Sequence, residues 1–143
     1  MHLPDEIHAE ITELCREGDS LAGAREFAQA KERYVAALRL LPGDPRQWAA
    51  STWIYAALGD VHFRTGVHDR AHKCFHNAVQ CPGGLGNPYV HLRLGQTALE
   101  LGDRDRAADE LMRAYMGGGA ELFAEDDPRY LAFLRTRAEL DPA

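Results

Sequence analysis

The chain has 143 residues and a formal net charge of −6, with 45% apolar and 27% charged residues. That length can bury a continuous core without disulfides or metals, and the apolar share excludes a disordered chain. The acidic balance argues against a surface built to neutralise phosphate backbones, so nucleic acid is not an expected partner. Cys15, Cys74 and Cys81 stand at no metal-ligand or disulfide-framework spacing, which suits a reducing compartment. The opening MHLPDEIHAE lacks the basic start and apolar core of a leader. No later stretch approaches the ~18 uninterrupted apolar residues of a membrane span. The expectation is one cytoplasmic domain over 1–143, with no membrane association.

Pro4 and Asp5 open a first helix in which Ile7, Ile11 and Leu14 share a face. Either it runs on through Gly18 or the chain breaks near Gly23. Ala30, Tyr34, Ala37, Leu38 and Leu41 mark a second helix, which must end before Pro42. Asp44 and Pro45 then form an opening in which the carboxylate accepts from free amides and proline sits where no donor is needed. The pattern predicts a third helix from there to near Thr65, longer than the ~11 to 12 residues of an average helix, with Trp48 in its extra first turns.

Gly66 ends that helix, and a fourth runs from about Asp69 to Gln80. CPGGLGNP, from Cys81 to Pro88, reads as a loop, with Asn87 and Pro88 repeating the opening. A fifth helix carries Val90, Leu94, Ala98 and Leu101, and a sixth carries Ala107, Leu111 and Ala114 until Gly117, Gly118 and Gly119 stop it. Asp127 and Pro128 open a last helix holding Leu131, Leu134 and Ala138.

Internal repetition is the strongest signal in this sequence. Gly18, Gly59 and Gly95 correspond, as do Ala30, Ala71 and Ala107, then Tyr34, Phe75 and Leu111, then Ala37, Ala78 and Ala114. Successive copies are 41 and then 36 residues apart, and within each the offsets are 12, 16 and 19. Small residues permit close helix approach while the larger one fills the gap to the next pair. Tyr55, Leu58, Gly59, Ala71, Phe75 and Ala78, with Leu94, Gly95, Gly102 and Ala107 after them, resemble the tetratricopeptide repeat, a helix-turn-helix unit of about 34 residues. The first copy departs from the family pattern at Glu17, where leucine is usual, and at Arg25, where glycine is usual.

The resemblance implies an all-α fold: a right-handed superhelical stack of three units, at about 6–42, 45–81 and 88–117, closed by a capping helix at about 128–140. It also implies a concave groove lined by the first helix of each unit, which members of the family use to bind peptides or helices of other proteins. Carried across position by position, the groove would comprise Cys15 and Asp19, then Trp53, Ala56, Asp60 and Arg64, then Tyr89, Leu92, Arg93 and Gln96. Trp53 and Tyr89 would be rigid anchors, and Asp19 and Asp60 would meet basic side chains, so the expected partner is a protein or peptide with an apolar segment flanked by Lys or Arg. The alternative is that both aromatics pack between repeats. Some members clamp a terminal carboxylate at positions that here hold Cys15, Asp19, Ala57, Tyr89 and Arg93. Only Arg93 agrees with that use.

His68, His72 and His76 recur every four residues and so share a helix face, where a pair could chelate a metal. No metalloprotease motif accompanies them, and neither glycine cluster has the lysine and hydroxyl of a phosphate cradle. Glu125, Asp126 and Asp127 read as negative charge at a helix start. The leading expectation is a non-catalytic adaptor-like interaction module of bacterial type, without cofactor or metal. An immunity or antitoxin-like protein is the alternative, and a metal-dependent enzyme using the histidine face ranks below it. Trp48, Phe123, Tyr130 and Phe133 either form a homodimer interface or fold onto the last repeat.

Overall fold

The computed structural model describes residues 2–140, and among these it contains seven α-helices and no strand. They are α1 (Asp5–Gly23), α2 (Phe27–Arg39), α3 (Ala49–Arg64), α4 (His68–Gln80), α5 (Pro88–Glu100), α6 (Arg104–Gly118) and α7 (Arg129–Arg135). α1 packs on α2, α3 on α4 and α5 on α6, and the pairs join through α2 against α3 and α4 against α5. The fold is an all-α superhelical stack of helix-turn-helix units.

One contact, made three times, sets the spacing within the pairs. A Cβ on Gly18 would lie 2.7 Å from the Tyr34 ring, one on Gly59 2.6 Å from the Phe75 ring, and one on Gly95 2.6 Å from Leu111 Cδ2. Each glycine is therefore the slot into which the next helix of its pair inserts a bulky side chain. Ala30, Ala71 and Ala107, one turn earlier, are fully buried and leave room for the approach. Phe75 is itself fully enclosed, so truncating it to alanine would cost about 3–5 kcal/mol through lost burial and the cavity left behind.

The turns inside the units differ at one residue. Gly66 and Gly102 take φ of 79° and 86°, and the matching position in the first unit is Arg25 at 63°, the only non-glycine in the left-handed region among the described residues. A Cβ there crowds the following carbonyl, at a cost of about 1–2 kcal/mol.

Several elements depart from their predicted form. α1 does run through Gly18, and it ends at Gly23. The predicted long third helix is interrupted: Pro45–Gln47 form a single 3-10 turn capped by the Asp44 carboxylate, and Trp48 is extended before α3 begins at Ala49. The interruption is held by Trp48 Nε1 donating to the Pro42 carbonyl at 2.8 Å and Ser51 Oγ donating to that of Pro45 at 2.5 Å. Trp48 is thereby buried against the first unit instead of riding on an exposed helical turn.

Gly117 and Gly118 do not stop α6. Gly117 lets the helix pass the Pro88 ring, which a Cβ would meet at 2.6 Å, and only Gly119, at φ 68°, ends it. A 3-10 turn at Ala120–Phe123 follows, unsignalled by periodicity. α7 is seven residues long, shorter than the expected 128–140. Phe123, Tyr130, Phe133 and Leu134 are buried with Leu92, Leu111 and Ala114, so these aromatics fold onto the last unit.

Candidate binding groove

The positions expected to line the groove lie on α1, α3 and α5, and the two ends of that surface differ. Between α1 and α3 is a cleft of 430 Å³ with Ile11, Cys15, Ile54 and Ala57 on its walls and Asp19 and Trp53 also lining it. Trp53 is 60% exposed, so it does not pack between repeats. Asp19 accepts from Tyr34 Oη at 2.5 Å, which ties it to the ring that fills the Gly18 slot. Burial, and secondarily the Asp19 charge, pushes the Cys15 thiol above its usual range. Arg64 is turned aside, its guanidinium 4.9 Å over the Phe27 ring.

Between α3 and α5 the surface is occupied by the protein itself. Tyr89 Oη donates to both Asp60 oxygens at 2.6 and 2.7 Å, and Arg93 Nε donates to Asp60 Oδ1 at 3.1 Å. Arg93 Nη1 reaches Gln96 Oε1 at 2.7 Å and Asp126 Oδ1 at 3.3 Å, and Gln96 Nε2 donates to Asp126 Oδ2 at 3.0 Å. The guanidinium also lies 4.5 Å above the Phe63 ring. Two carboxylates thus share one cation. Burial holds the Asp60 carboxyl above the usual carboxylate range, outweighing the hydrogen bonds of Tyr89 and Arg93 and the charges of Arg93 and Arg64 that act to lower it.

Three of the expected groove residues are not on the surface. Ala56 is packed against Val90 and Leu94, Leu92 lies under Phe123 and Tyr130, and Gln96 is fully enclosed. Ala56 is covered by α4 and α5, whereas the burial of Leu92 and Gln96 follows from the chain's return after Gly119, which covers the third unit and delivers Asp126 to Arg93. The acidic run is divided accordingly: Asp127 caps α7 through Arg129 N–H, whereas Asp126 leaves the helix start for the network.

The histidine face does not assemble a ligand set. His68 lies edge-on to Phe63 at 5.7 Å, His72 Nδ1 lies 2.7 Å from Thr97 Oγ1, and His76 is exposed. No group of three His, Cys, Asp or Glu side chains stands together as a metal site among the described residues. Burial, together with the charges of Arg106 and His76, pushes His72 below its ordinary value. A pair that the pattern did not signal lies deeper: His91 Nε2 accepts from the Gly86 amide at 2.9 Å and its Nδ1 lies 3.0 Å from Glu110 Oε2. An accepting Nε2 fixes the proton on Nδ1, which then donates to Glu110. The pair fastens the Cys81–Pro88 loop to α5 and α6.

The family model of the tetratricopeptide repeat matches residues 56–121. Residues 56–121 thus match the tetratricopeptide repeat. Among curated proteins it is similar to the Tonsoku-like protein of Danio rerio, at 31% identity over 68 residues; the match takes in 45% of this chain, and the chain spans 5% of that relative's length. Among solved structures, the repeat stack resembles PcrH of Pseudomonas aeruginosa, at a TM-score of 0.69 and 18% identity over 94% of each chain. It also resembles the Yersinia enterocolitica type III secretion chaperone SycD in complex with a peptide of the translocator YopD, at 0.68 and 16% identity over 87% of this chain and 89% of that one. At such identities the likeness shows the repeat fold alone. Among the described residues no helix of this repeat protein is long and apolar enough to cross a membrane.

Proposed function

We propose that the protein is a non-catalytic interaction module that takes a segment of a partner protein into the groove between α1 and α3. The observation that carries this reading is Trp53, a large aromatic 60% exposed beside a cleft with apolar walls and an acidic residue, Asp19, among its lining. A rigid amphipathic ring at a concave edge is the side chain from which interfaces draw most of their binding energy. Two proteins of the same fold support it: SycD holds a peptide of YopD, and PcrH has been solved with the chaperone binding region of PopB, at a TM-score of 0.63 to this chain. The partner segment is apolar with basic flanks, the basic residues meeting Asp19.

Selection of a displayed library of random linear peptides on the purified protein tests the reading. Enriched sequences should combine aliphatic or aromatic residues with Lys or Arg. Their binding should fall by about ten-fold or more in Trp53→Ala, the loss expected of an interface anchor, and also in Asp19→Lys. Enrichment that survives both substitutions unchanged would place the partner elsewhere on the molecule.

A further inference from the structure

The α1–α3 cleft continues beyond Trp53. A second cleft, of 540 Å³, is lined by His2, Leu3, Asp5, Trp48 and Ala49, and it shares His8, Ala50 and Trp53 with the first. The two are consecutive along one seam, in the order set by α1 and α3, and Trp53 divides them. Each cleft has one acidic side chain at its far end, Asp5 at the start of α1 and Asp19 in its last turns. The cation lining the seam, Arg16, is tied to Glu13 at 2.6 Å.

From these observations we infer that the occupant is an extended segment that straddles Trp53, seating an apolar side chain in each cleft and a basic side chain at each end. The inference rests on the groove reading above and adds its length and register. Asp5 and Asp19 are fourteen positions apart on one helix, about 21 Å at ~1.5 Å per residue. An extended chain covers that distance in about six steps of ~3.3 Å. Its alternate side chains face the seam, so the pattern is base, apolar, apolar, base at every second residue. The two apolar side chains are then about 6.6 Å apart, near the ~7 to 8 Å that contact with both sides of one aromatic ring requires.

The probe is the capped peptide acetyl-Lys-Thr-Leu-Thr-Leu-Thr-Lys-amide, in which Lys and Leu share one face and Thr favours the extended form. Its binding to the full chain is read by tryptophan emission and by calorimetry. Thr12→Arg fills the Asp19 cleft and Ala49→Arg fills the Asp5 cleft; both positions are exposed on helices, and melting curves check that both variants fold. The expected result is that each variant, and the peptide with Glu in place of both lysines, weakens binding by about ten-fold or more. Loss in Thr12→Arg alone overturns the straddling segment and leaves the groove reading standing. Loss in Ala49→Arg alone, or in neither variant, overturns the straddling segment as well. So does failure of the wild type to bind the probe, and the groove reading is then decided separately by the library selection.

Discussion

The two ends of the groove surface are built from the same repeat and carry different charge economies. Between α1 and α3, Asp19 is exposed and accepts from Tyr34, and among the described residues Trp53 has no aromatic or cationic partner; between α3 and α5, Asp60, Tyr89, Arg93, Gln96 and Asp126 satisfy one another. The difference does not come from the unit itself, since the glycine slot and its filling side chain are common to all three. It comes from what the chain does after the third unit, where residues beyond Gly119 fold back and supply Asp126. A repeat array can therefore keep its stacking rule and still leave its groove side chains unpaired over only part of its length.

The comparison breaks most severely at Arg93. Arg93→Ala leaves Asp60 and Asp126 without their shared cation in a half-buried site, and it should cost about 2–3 kcal/mol in urea denaturation. Trp53→Ala, at the open end, serves as the contrast, with an expected change within about 0.5 kcal/mol because an exposed ring contributes little to folding. Equal losses at the two positions would remove the distinction.

A smaller effect is expected from Asp126→Ala, about 1–2 kcal/mol for a charge-assisted pair of hydrogen bonds. Its sharper readout is hydrogen exchange: amides of 120–135 should lose protection while those of α1 and α2 keep theirs. Uniform loss across the chain would mean that Asp126 supports the whole stack and not its covered end.

The smallest effect is a pH dependence at the seam between α4 and α5. His72 has a folded pKa below its unfolded value, so the fold favours the neutral ring. Its contribution is fully present above the unfolded value of ~6.5 and is lost as the pH falls through the folded one. Stability should decline on acidification from ~6.5 down to the folded value, and His72→Gln should flatten the decline in melts taken across that range. An unchanged slope would assign the acid sensitivity to other groups.

Much of the fold is legible in the chain because its determinants are local. Asn87 with Pro88 marks a helix start by capping chemistry, Gly66 and Gly102 mark turns by their backbone freedom, and Gly59 with Phe75 marks a pair of helices by size alone. The interruption at Trp48 was not legible, since Asp44 and Pro45 open a 3-10 turn as readily as a helix. The deciding contact is an indole N–H reaching back to Pro42. Of the groove residues, Cys15, Asp19 and Trp53 lie at the open cleft, because nothing distant covers them. Leu92 and Gln96 occupy equivalent places in the repeat and are buried by a segment about thirty residues later, which no periodicity encodes.

The Arg93 network also has a kinetic consequence. On the proposed reading, a segment that ends at Trp53 and Asp19 meets a surface already formed, so its association should follow a single concentration-dependent phase. A longer partner that continues toward α5 meets Asp126 in the place it needs, and docking must wait for that contact to release. Its observed rate would rise with concentration and then level off at the opening rate of the segment after Gly119. The length of the ligand would be read out as the number of kinetic phases.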